Sequence, residues 1–321
     1  MKKRKLLVIV VFLILVSYFV WIFTAKPPKG EVTVYKGLWL PLLGTFPIAH
    51  PVSFNLNKIK STGVSIISFG PLLTVDKDGR VSTLFWQRYL TIFQIKRLHR
   101  KGLRVMLTNE IVESMGEPKP LSKEILENPD FWANLNRLIV ENAKLAEKYG
   151  VEIYAPLNEP EVKFQNEPNR AWEWAQEILP QIKEVYHGKI AWKGDLSAQI
   201  DNPNFNLSKA NFSGYDIVGF SISLRIPPEE YRDYVDRVIE TLKPIAQRYE
   251  ATLMVTEFGA WDDPWNENIT NVRFAYETVL GEGHKNNLKG FFALEGPSIV
   301  TNDPTFSDFE KVLRKWYKEK L

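Results

Sequence analysis

The stretch EIYAPLNEPE, residues 152–161, shows how this chain is built. Its first half is an apolar run typical of a buried β-strand, and its second half turns abruptly polar. Upstream of the run, Asn128 and Pro129 form the start signal of a helix, and Gly150 forms its stop signal. The stretch therefore predicts a helix that leads into a strand, and a strand whose carboxyl end is polar.

The same alternation of apolar run, polar loop and helical pattern recurs along the body of the chain. Eight such β/α units are the number that closes a parallel barrel. The alternative is an open doubly wound sheet, which usually carries a glycine-rich loop after its first strand, and this sequence has none there. We therefore predict an α/β protein with a single (β/α)₈ TIM barrel over residues 32–321. The runs lie at residues 32–40, 64–69, 103–107, 152–157, 189–192, 217–222, 252–256 and 289–294.

Residues 6–25 form an uncharged apolar stretch, LLVIVVFLILVSYFVWIFTA. A helix of that length crosses about 30 Å of hydrocarbon. The basic tail at residues 1–5 is expected to stay in the cytoplasm, and residues 26–31 form a short linker. This pattern predicts a single-pass transmembrane signal anchor, with the barrel on the outer side of the cell membrane. A cleaved signal peptide and a buried core helix are the alternatives.

Charge and composition exclude several classes of function. The 321-residue chain has a formal net charge of +3, but the first 30 positions hold six of its 41 basic residues and none of its 38 acidic residues. The body is therefore slightly acidic, which argues against a nucleic-acid partner. Cysteine is absent, so disulfides and thiolate metal sites are excluded, and the four histidines lack zinc-binding spacing. No metal or cofactor is predicted, and the oligomeric state stays open.

Two acidic residues stand where apolar runs give way to loops. Glu159 follows the fourth run and Glu257 follows the seventh. The active site of such a barrel lies at the carboxyl ends of its strands. The fourth and seventh strands are three positions apart around the ring of eight, so these two side chains can face each other across the mouth. Two facing carboxyl groups are the apparatus of glycoside hydrolysis. One protonates the leaving oxygen, and the other attacks or stabilises the cationic sugar.

The segments NEP (158–160) and TEFG (256–259) resemble the active-site motifs of clan A glycoside hydrolases, which are retaining (β/α)₈ barrels such as endoglucanases and β-mannanases. The resemblance covers the architecture of the body, and the specific match is confined to these two motifs. It implies that Glu159 is the acid/base, that Glu257 is the nucleophile and that Asn158 binds the sugar 2-hydroxyl. It also implies a β-linked oligo- or polysaccharide as substrate and no cofactor.

The chain departs from that clan at several strand ends. The eighth run ends in ALEGP (293–297), where the clan often places a tryptophan at the floor of the sugar site. The sixth run ends in SIS (221–223), where an aromatic or histidine partner of the nucleophile is common. The second and third runs lack an obvious arginine or histidine equivalent. A surface-tethered barrel that binds sugar without cleaving it is therefore the alternative to an enzyme.

Other residues at the strand ends form a polar and aromatic rim that could hold sugar hydroxyls or stack on sugar rings. Glu295 is expected either to shift a catalytic pKa or to pair with Lys193. A weaker alternative is a metal-dependent hydrolase that uses Glu110, Asp195 and Glu295. The rim candidates for substrate binding are Trp39, Asn109, Glu110, Asp195, Trp261 and Glu295.

Overall fold

The computed structural model contains a closed barrel of eight parallel strands, which confirms the predicted fold. The strands pair in chain order from β1 to β8, and β8 also pairs with β1 to close the ring. Their bounds are β1 Tyr35–Trp39, β2 Ile66–Phe69, β3 Arg104–Thr108, β4 Ile153–Ala155, β5 Lys189–Gly194, β6 Ile217–Ile222, β7 Thr252–Phe258 and β8 Gly290–Leu294. The structure describes residues 17, 20–40, 56–113, 120–165, 169–200, 207–222, 226–259, 269–294 and 307–321.

Helices connect the strands along the outside of the barrel. The helix before β4 begins and ends as predicted: the Asn128 side chain accepts a hydrogen bond from the backbone N–H of Asp130 at 2.9 Å, and Gly150 ends it with a φ of 69°. The helices of the described residues are α1 Leu56–Ser61, α2 Phe85–Arg100, α3 Lys123–Leu126, α4 Pro129–Tyr149, α5 Pro160–Lys163, α6 Arg170–Lys183, α7 Leu196–Gln199, α8 Tyr231–Arg248, α9 Ile269–Lys285 and α10 Ser307–Lys315.

Alternate residues of each strand face opposite sides, which gives the barrel an inner and an outer core. On β1, Tyr35 and Trp39 belong to the inner cluster, whereas Leu38 packs in the outer layer with the helices. Gly37 leaves room for the inward-facing ring of Phe292, since a Cβ on Gly37 would lie 2.3 Å from that ring. The barrel is therefore filled with side chains, and a ligand can reach it only at the mouth.

Two strands extend further toward the mouth than the sequence predicts. Strand β5 runs to Gly194 and strand β7 runs to Phe258, each two residues beyond the predicted end. Lys193 and Glu257 therefore lie within strands and not in the loops that follow them. This difference matters because a strand fixes the direction of a side chain more tightly than a loop does.

The sequence pattern gives no indication of a second, three-stranded sheet at the mouth. It consists of Leu72–Val75, Val81–Ser82 and Glu110–Glu113. The first of these segments follows β2 after two residues and the last follows β3 after one, so the sheet extends this wall of the barrel. Its strands are two to four residues long, which is too short for a clear alternation of apolar and polar residues.

The segment that precedes β1 lies against the amino-terminal end of the barrel. Arg100, at the end of α2, donates to the hydroxyl of Thr24 at 2.8 Å, and Arg104, at the start of β3, donates to the carbonyl of Gly30 at 2.8 Å. This end is opposite to the mouth. The predicted membrane span at 6–25 lies mostly outside the described residues. Among the helices that the structure describes, none combines the length and apolar character needed to cross a membrane.

Gly70 provides a test of the close approach between β2 and β3. A Cβ on Gly70 would lie 1.5 Å from the backbone carbonyl oxygen of Thr108, which cannot turn away as a side chain can. We expect Gly70→Ala to lower the free energy of unfolding by about 2 kcal/mol or more, measured by urea denaturation.

Gly281→Ala in α9 is the control, because its nearest neighbour would be 3.7 Å away. It should be neutral or stabilise the protein by up to about 1 kcal/mol. Equal stability of the two variants would contradict the packing described here.

Candidate active site

Glu159 occupies a strained backbone position between β4 and α5. Its φ of 47° and ψ of 54° are left-handed, a conformation that costs a residue other than glycine about 1–3 kcal/mol. Backbone hydrogen bonds hold it there: its N–H donates to the carbonyl of Lys193 at 2.8 Å, and its carbonyl accepts from the N–H of Val162 at 3.0 Å. The turn thus fixes Glu159 against the neighbouring strand β5.

Ser221, on β6, is the side-chain partner of Glu159. Its hydroxyl lies 2.8 Å from Glu159 Oε1, within hydrogen-bonding distance. Ser221 is also the residue that stands opposite Glu257 in the pairing of β6 with β7. One small hydroxyl residue therefore lies between the two acidic side chains. The sequence offered no reason to single it out, because an aromatic or histidine side chain was expected at this strand end.

A β-bulge in β7 sets the direction of Glu257. Between Val255 and Glu257 the strand has one residue more than β6 beside it, and the pairing with β8 shifts in the same place. The extra residue, Thr256, is buried, and its side chain occupies the space beside Gly219. Bulges of this kind turn a side chain relative to the regular strand. Glu257 is half-buried as a result, with 21% of its side chain exposed.

Lys193 is the direct partner of Glu257. Its ammonium lies 2.7 Å from Glu257 Oε2 and also donates to Asn158 Oδ1. On a third side it lies 4.5 Å from the centre of the Trp39 ring, a cation–π contact. The side chain of Lys193 is fully buried. The sequence suggested Lys193 as a possible partner of Glu295, whereas the structure places it beneath the mouth, where it joins the two motifs.

Burial raises the pKa of the Glu257 carboxyl from its ordinary value of 4.5 to about 7. The ammonium of Lys193 opposes this effect and lowers the pKa, whereas the negative charges of Glu159 and Glu110 raise it. The effect of Glu159 shows that the two motif carboxyls lie within electrostatic reach of each other.

Glu161 is a third acid, which sequence reasoning did not select. It is buried two residues after Glu159, and burial raises its pKa well above the ordinary value. The charges of Glu159 and Asp195 raise it further. Its carboxyl packs against Gly194, where a Cβ would come within 2.5 Å of Oε1. Burial thus disfavours the charged form of Glu161 behind the site, and no sequence pattern distinguishes this residue from a surface glutamate.

Two of the predicted sugar-binding residues are buried and have other roles. The amide of Asn109 donates to the hydroxyl of Tyr154 at 2.8 Å and accepts from the amide of Asn142 at 2.7 Å, so it faces helix α4. Asn109 therefore supports the end of β3 from behind. Trp39 is only 3% exposed and lies under the ammonium of Lys193. It forms part of the floor and not an open stacking surface.

Four rim candidates remain, and two of them lie among the residues that the structure describes. Glu110 forms an ion pair with the buried Lys163 at 2.6 Å, and Asp195 lies half-buried at the start of α7. Within the part of the chain that the structure describes, no group of three or more His, Asp or Glu side chains is arranged to hold a metal ion. Trp261 and Glu295 lie outside the described residues, so their predicted roles stay predictions.

No family profile matches this sequence, and no curated protein matches it either. Solved structures do match its fold. The GH113 β-mannanase from Alicyclobacillus acidocaldarius, in complex with ManMIm, superposes with a TM-score of 0.65 at 13% identity, over 89% of this chain and 98% of its own. The endo-β-1,4-mannanase from Thermotoga petrophila gives a TM-score of 0.67 at 12% identity, over 90% of this chain and 77% of its own.

A structure described as an endoglucanase is also similar, with a TM-score of 0.66 at 13% identity, over 90% of this chain and 98% of its own. At these identities the likeness concerns the fold. The chain thus shares the single (β/α)₈ barrel fold of these mannanases and this endoglucanase, the fold that the alternation of its apolar runs and helices predicted.

Proposed function

We propose that this chain is a retaining glycoside hydrolase that cleaves a β-linked polysaccharide, with β-1,4-mannan as the first candidate. The proposal is carried by one observation: Glu159 and Glu257, at the carboxyl ends of β4 and β7, interact electrostatically and each has a hydrogen-bonding partner of its own. The similar structures are named as mannanases and an endoglucanase, which supports a β-linked hexose polymer.

The partners of the two acids support different roles for them. An ammonium group can only donate hydrogen bonds, so Lys193 favours Glu257 as an ionised carboxylate. A hydroxyl group can donate or accept, so Ser221 can accompany Glu159 in either protonation state. This arrangement suits Glu159 as the acid/base and Glu257 as the nucleophile.

The reaction then follows two displacements. The carboxylate of Glu257 attacks the anomeric carbon while Glu159 gives its proton to the glycosidic oxygen, so the bond to the leaving sugar breaks as a glycosyl ester forms. Glu159, now ionised, takes a proton from water as the water oxygen attacks the same carbon, and Glu257 leaves as a carboxylate. Two inversions restore the original anomeric configuration.

Amide variants of the two acids test these roles with the full chain in detergent. We expect Glu159→Gln to lower kcat on β-1,4-mannan by about 10²–10⁴-fold, because a proton donor is lost, and Glu257→Gln to lower it at least as much. On an aryl mannoside whose leaving group needs no proton, Glu159→Gln should accumulate a glycosyl-enzyme, visible as added mass, and Glu257→Gln should not. Proton NMR of the first wild-type product should show the β anomer.

Glu141→Gln on the exposed face of α4 is the control and should keep wild-type activity. The proposal fails if the wild-type chain releases no sugar from any β-linked polysaccharide, and Glu159→Gln, Glu257→Gln and Glu141→Gln all bind mannan as tightly as the wild-type chain does. That result would identify a sugar-binding barrel without catalysis.

The pKa of Glu257 also predicts the pH dependence of the reaction. A protonated Glu257 cannot attack, so kcat/KM should rise through an apparent pKa of about 7 as the pH increases. Below that pH the rate should fall about ten-fold per pH unit. The measurement is kcat/KM on mannan oligosaccharides across the pH range. An acid limb near the ordinary glutamate value would show that Glu257 is solvated in the working enzyme.

We also propose that residues 6–25 anchor the chain in the cell membrane, with the basic tail inside and the barrel outside. Two contacts join the end of this segment to the barrel. Lys96 donates to the carbonyl of Ala25 at 2.9 Å, and the guanidinium of Arg100 lies 4.7 Å from the ring centre of Trp21. Both contacts lie at the amino-terminal end of the barrel, which would turn the mouth away from the membrane and toward the polymer.

Single cysteines test the anchor and this orientation, since the chain has none of its own. Lys148→Cys, in the last turn of α4, and Phe85→Cys, the exposed first residue of α2, lie at opposite ends of the barrel. A fluorophore on Lys148→Cys should be quenched more strongly by nitroxide-labelled lipids than one on Phe85→Cys. Removal of residues 1–25 should release the protein from membranes. Equal quenching would contradict the orientation, and a full chain in the soluble fraction would contradict the anchor.

A further inference from the structure

We infer that Lys193 is the positioning residue of this site: its ammonium holds Glu257 as an oriented carboxylate and fixes the Asn158 amide. The inference rests on the proposed function, because it names the group that prepares the nucleophile. Near the carboxyl ends of β2 and β3, where the clan resemblance implies an arginine or histidine, Ser68 and Thr108 face each other at 3.3 Å. The cation bonded to Glu257 comes instead from β5.

The surroundings of Lys193 form a built site. A buried ammonium costs several kcal/mol unless its charge is paired and its protons are bonded. Here the ammonium meets Glu257 Oε2 at 2.7 Å, the oxygen of the Asn158 amide, and the face of Trp39 at 4.5 Å. Three different elements thus converge on one cation. An ammonium on a polar rim would be solvated and would need none of these contacts.

Lys193 also decides which way the Asn158 amide points. The oxygen and nitrogen of an amide have nearly the same shape, so only a neighbour can fix their order. An ammonium donates and never accepts, which requires the oxygen of Asn158 to face Lys193. The NH₂ group is then left as a donor, the chemistry that a sugar 2-hydroxyl oxygen needs.

The backbone of the same residue holds the other acid. The carbonyl of Lys193 accepts the N–H of Glu159 at 2.8 Å, and Asn158 and Lys193 form an isolated bridge between the chain after β4 and β5. The side chain of Lys193 therefore positions the nucleophile Glu257, while its backbone carbonyl positions the acid/base Glu159. One residue thus contacts both acids.

The charges around Glu257 allow the role of the Lys193 side chain to be measured through the pKa of Glu257. Lys193 attracts it from β5, whereas Glu159, after β4, and Glu110, after β3, repel it. Glu110 is itself paired with Lys163 at 2.6 Å. Loss of the Lys193 charge leaves Glu257 with repulsive neighbours, so its carboxyl must bind a proton more tightly.

The test titrates Glu257 in the full-length protein in detergent, by NMR of ¹³C-labelled glutamate carboxyls. The Glu257 signal is identified by its absence in Glu257→Gln. We expect Lys193→Met to raise the midpoint by about one to three pH units and to move the acid limb of kcat/KM by the same amount. Activity at pH 7, where about half of the wild-type Glu257 is ionised, should then fall by about 5- to 500-fold. Lys193→Arg keeps the charge and should restore the midpoint.

Lys163→Met is the matched control, since it removes another buried lysine that pairs with a glutamate. It should cost comparable thermal stability and move the Glu257 midpoint far less than Lys193→Met does. Should Lys193→Met fail to fold, Lys193→Gln replaces it, because it removes the charge and keeps a hydrogen-bond donor. A wild-type midpoint in a folded, uncharged variant overturns the inference. The titration needs no substrate, so a lack of turnover would overturn only the proposed function.

Discussion

Closure of the parallel sheet is the constraint on which the rest of this structure depends. The pairing of β8 with β1, from Tyr35 opposite Gly290 to Trp39 opposite Leu294, turns a sheet into a ring. Only in a ring do the carboxyl ends of β4 and β7 face each other, although they are about a hundred residues apart in the chain. The interior is filled by side chains such as Phe292 and Met254, so chemistry is confined to the mouth.

Within the mouth, burial is the constraint that shapes the site. Strand β5 carries a fully buried lysine, and a buried cation is tolerated only beside an anion. The bulge in β7 turns Glu257 so that it reaches this cation. The left-handed backbone of Glu159 is also an unfavourable state that depends on its surroundings. A conformation that costs free energy persists only where the surrounding structure holds it. The hydrogen bond from Glu159 to the backbone of Lys193 supplies part of that support.

The fold could be predicted from the sequence because its pattern is local. Each apolar run and each helix stop such as Gly150 can be recognised within a few residues, and eight of them define the barrel. The two acids could be placed because they directly follow such runs. Lys193 could not be assigned to Glu257, because its role depends on which strand ends converge and on how far β5 extends. Asn109 was misplaced for the same reason: a polar residue at a strand end can face the mouth or a helix, and only packing against Asn142 decides between them.

The charges gathered at the mouth bear on the kind of sugar that this site can accept. Among the described residues, the acids Glu110, Glu159, Glu161, Asp195 and Glu257 influence one another, and the lysines paired with them are Lys163 and Lys193. Acids therefore outnumber bases among these residues, and burial raises the pKa of Glu161 and so disfavours its charged form. A uronic acid, sulfate or phosphate group brought into this mouth would add a further negative charge, and the two lysines of this described set are already paired with acids. The hydroxyl groups of a neutral polymer make no such demand, because they can donate to an ionised carboxylate and can accept from a protonated carboxyl group. The electrostatics of the site thus point to the same class of substrate as its likeness to mannanases and an endoglucanase, and they do so independently of that likeness.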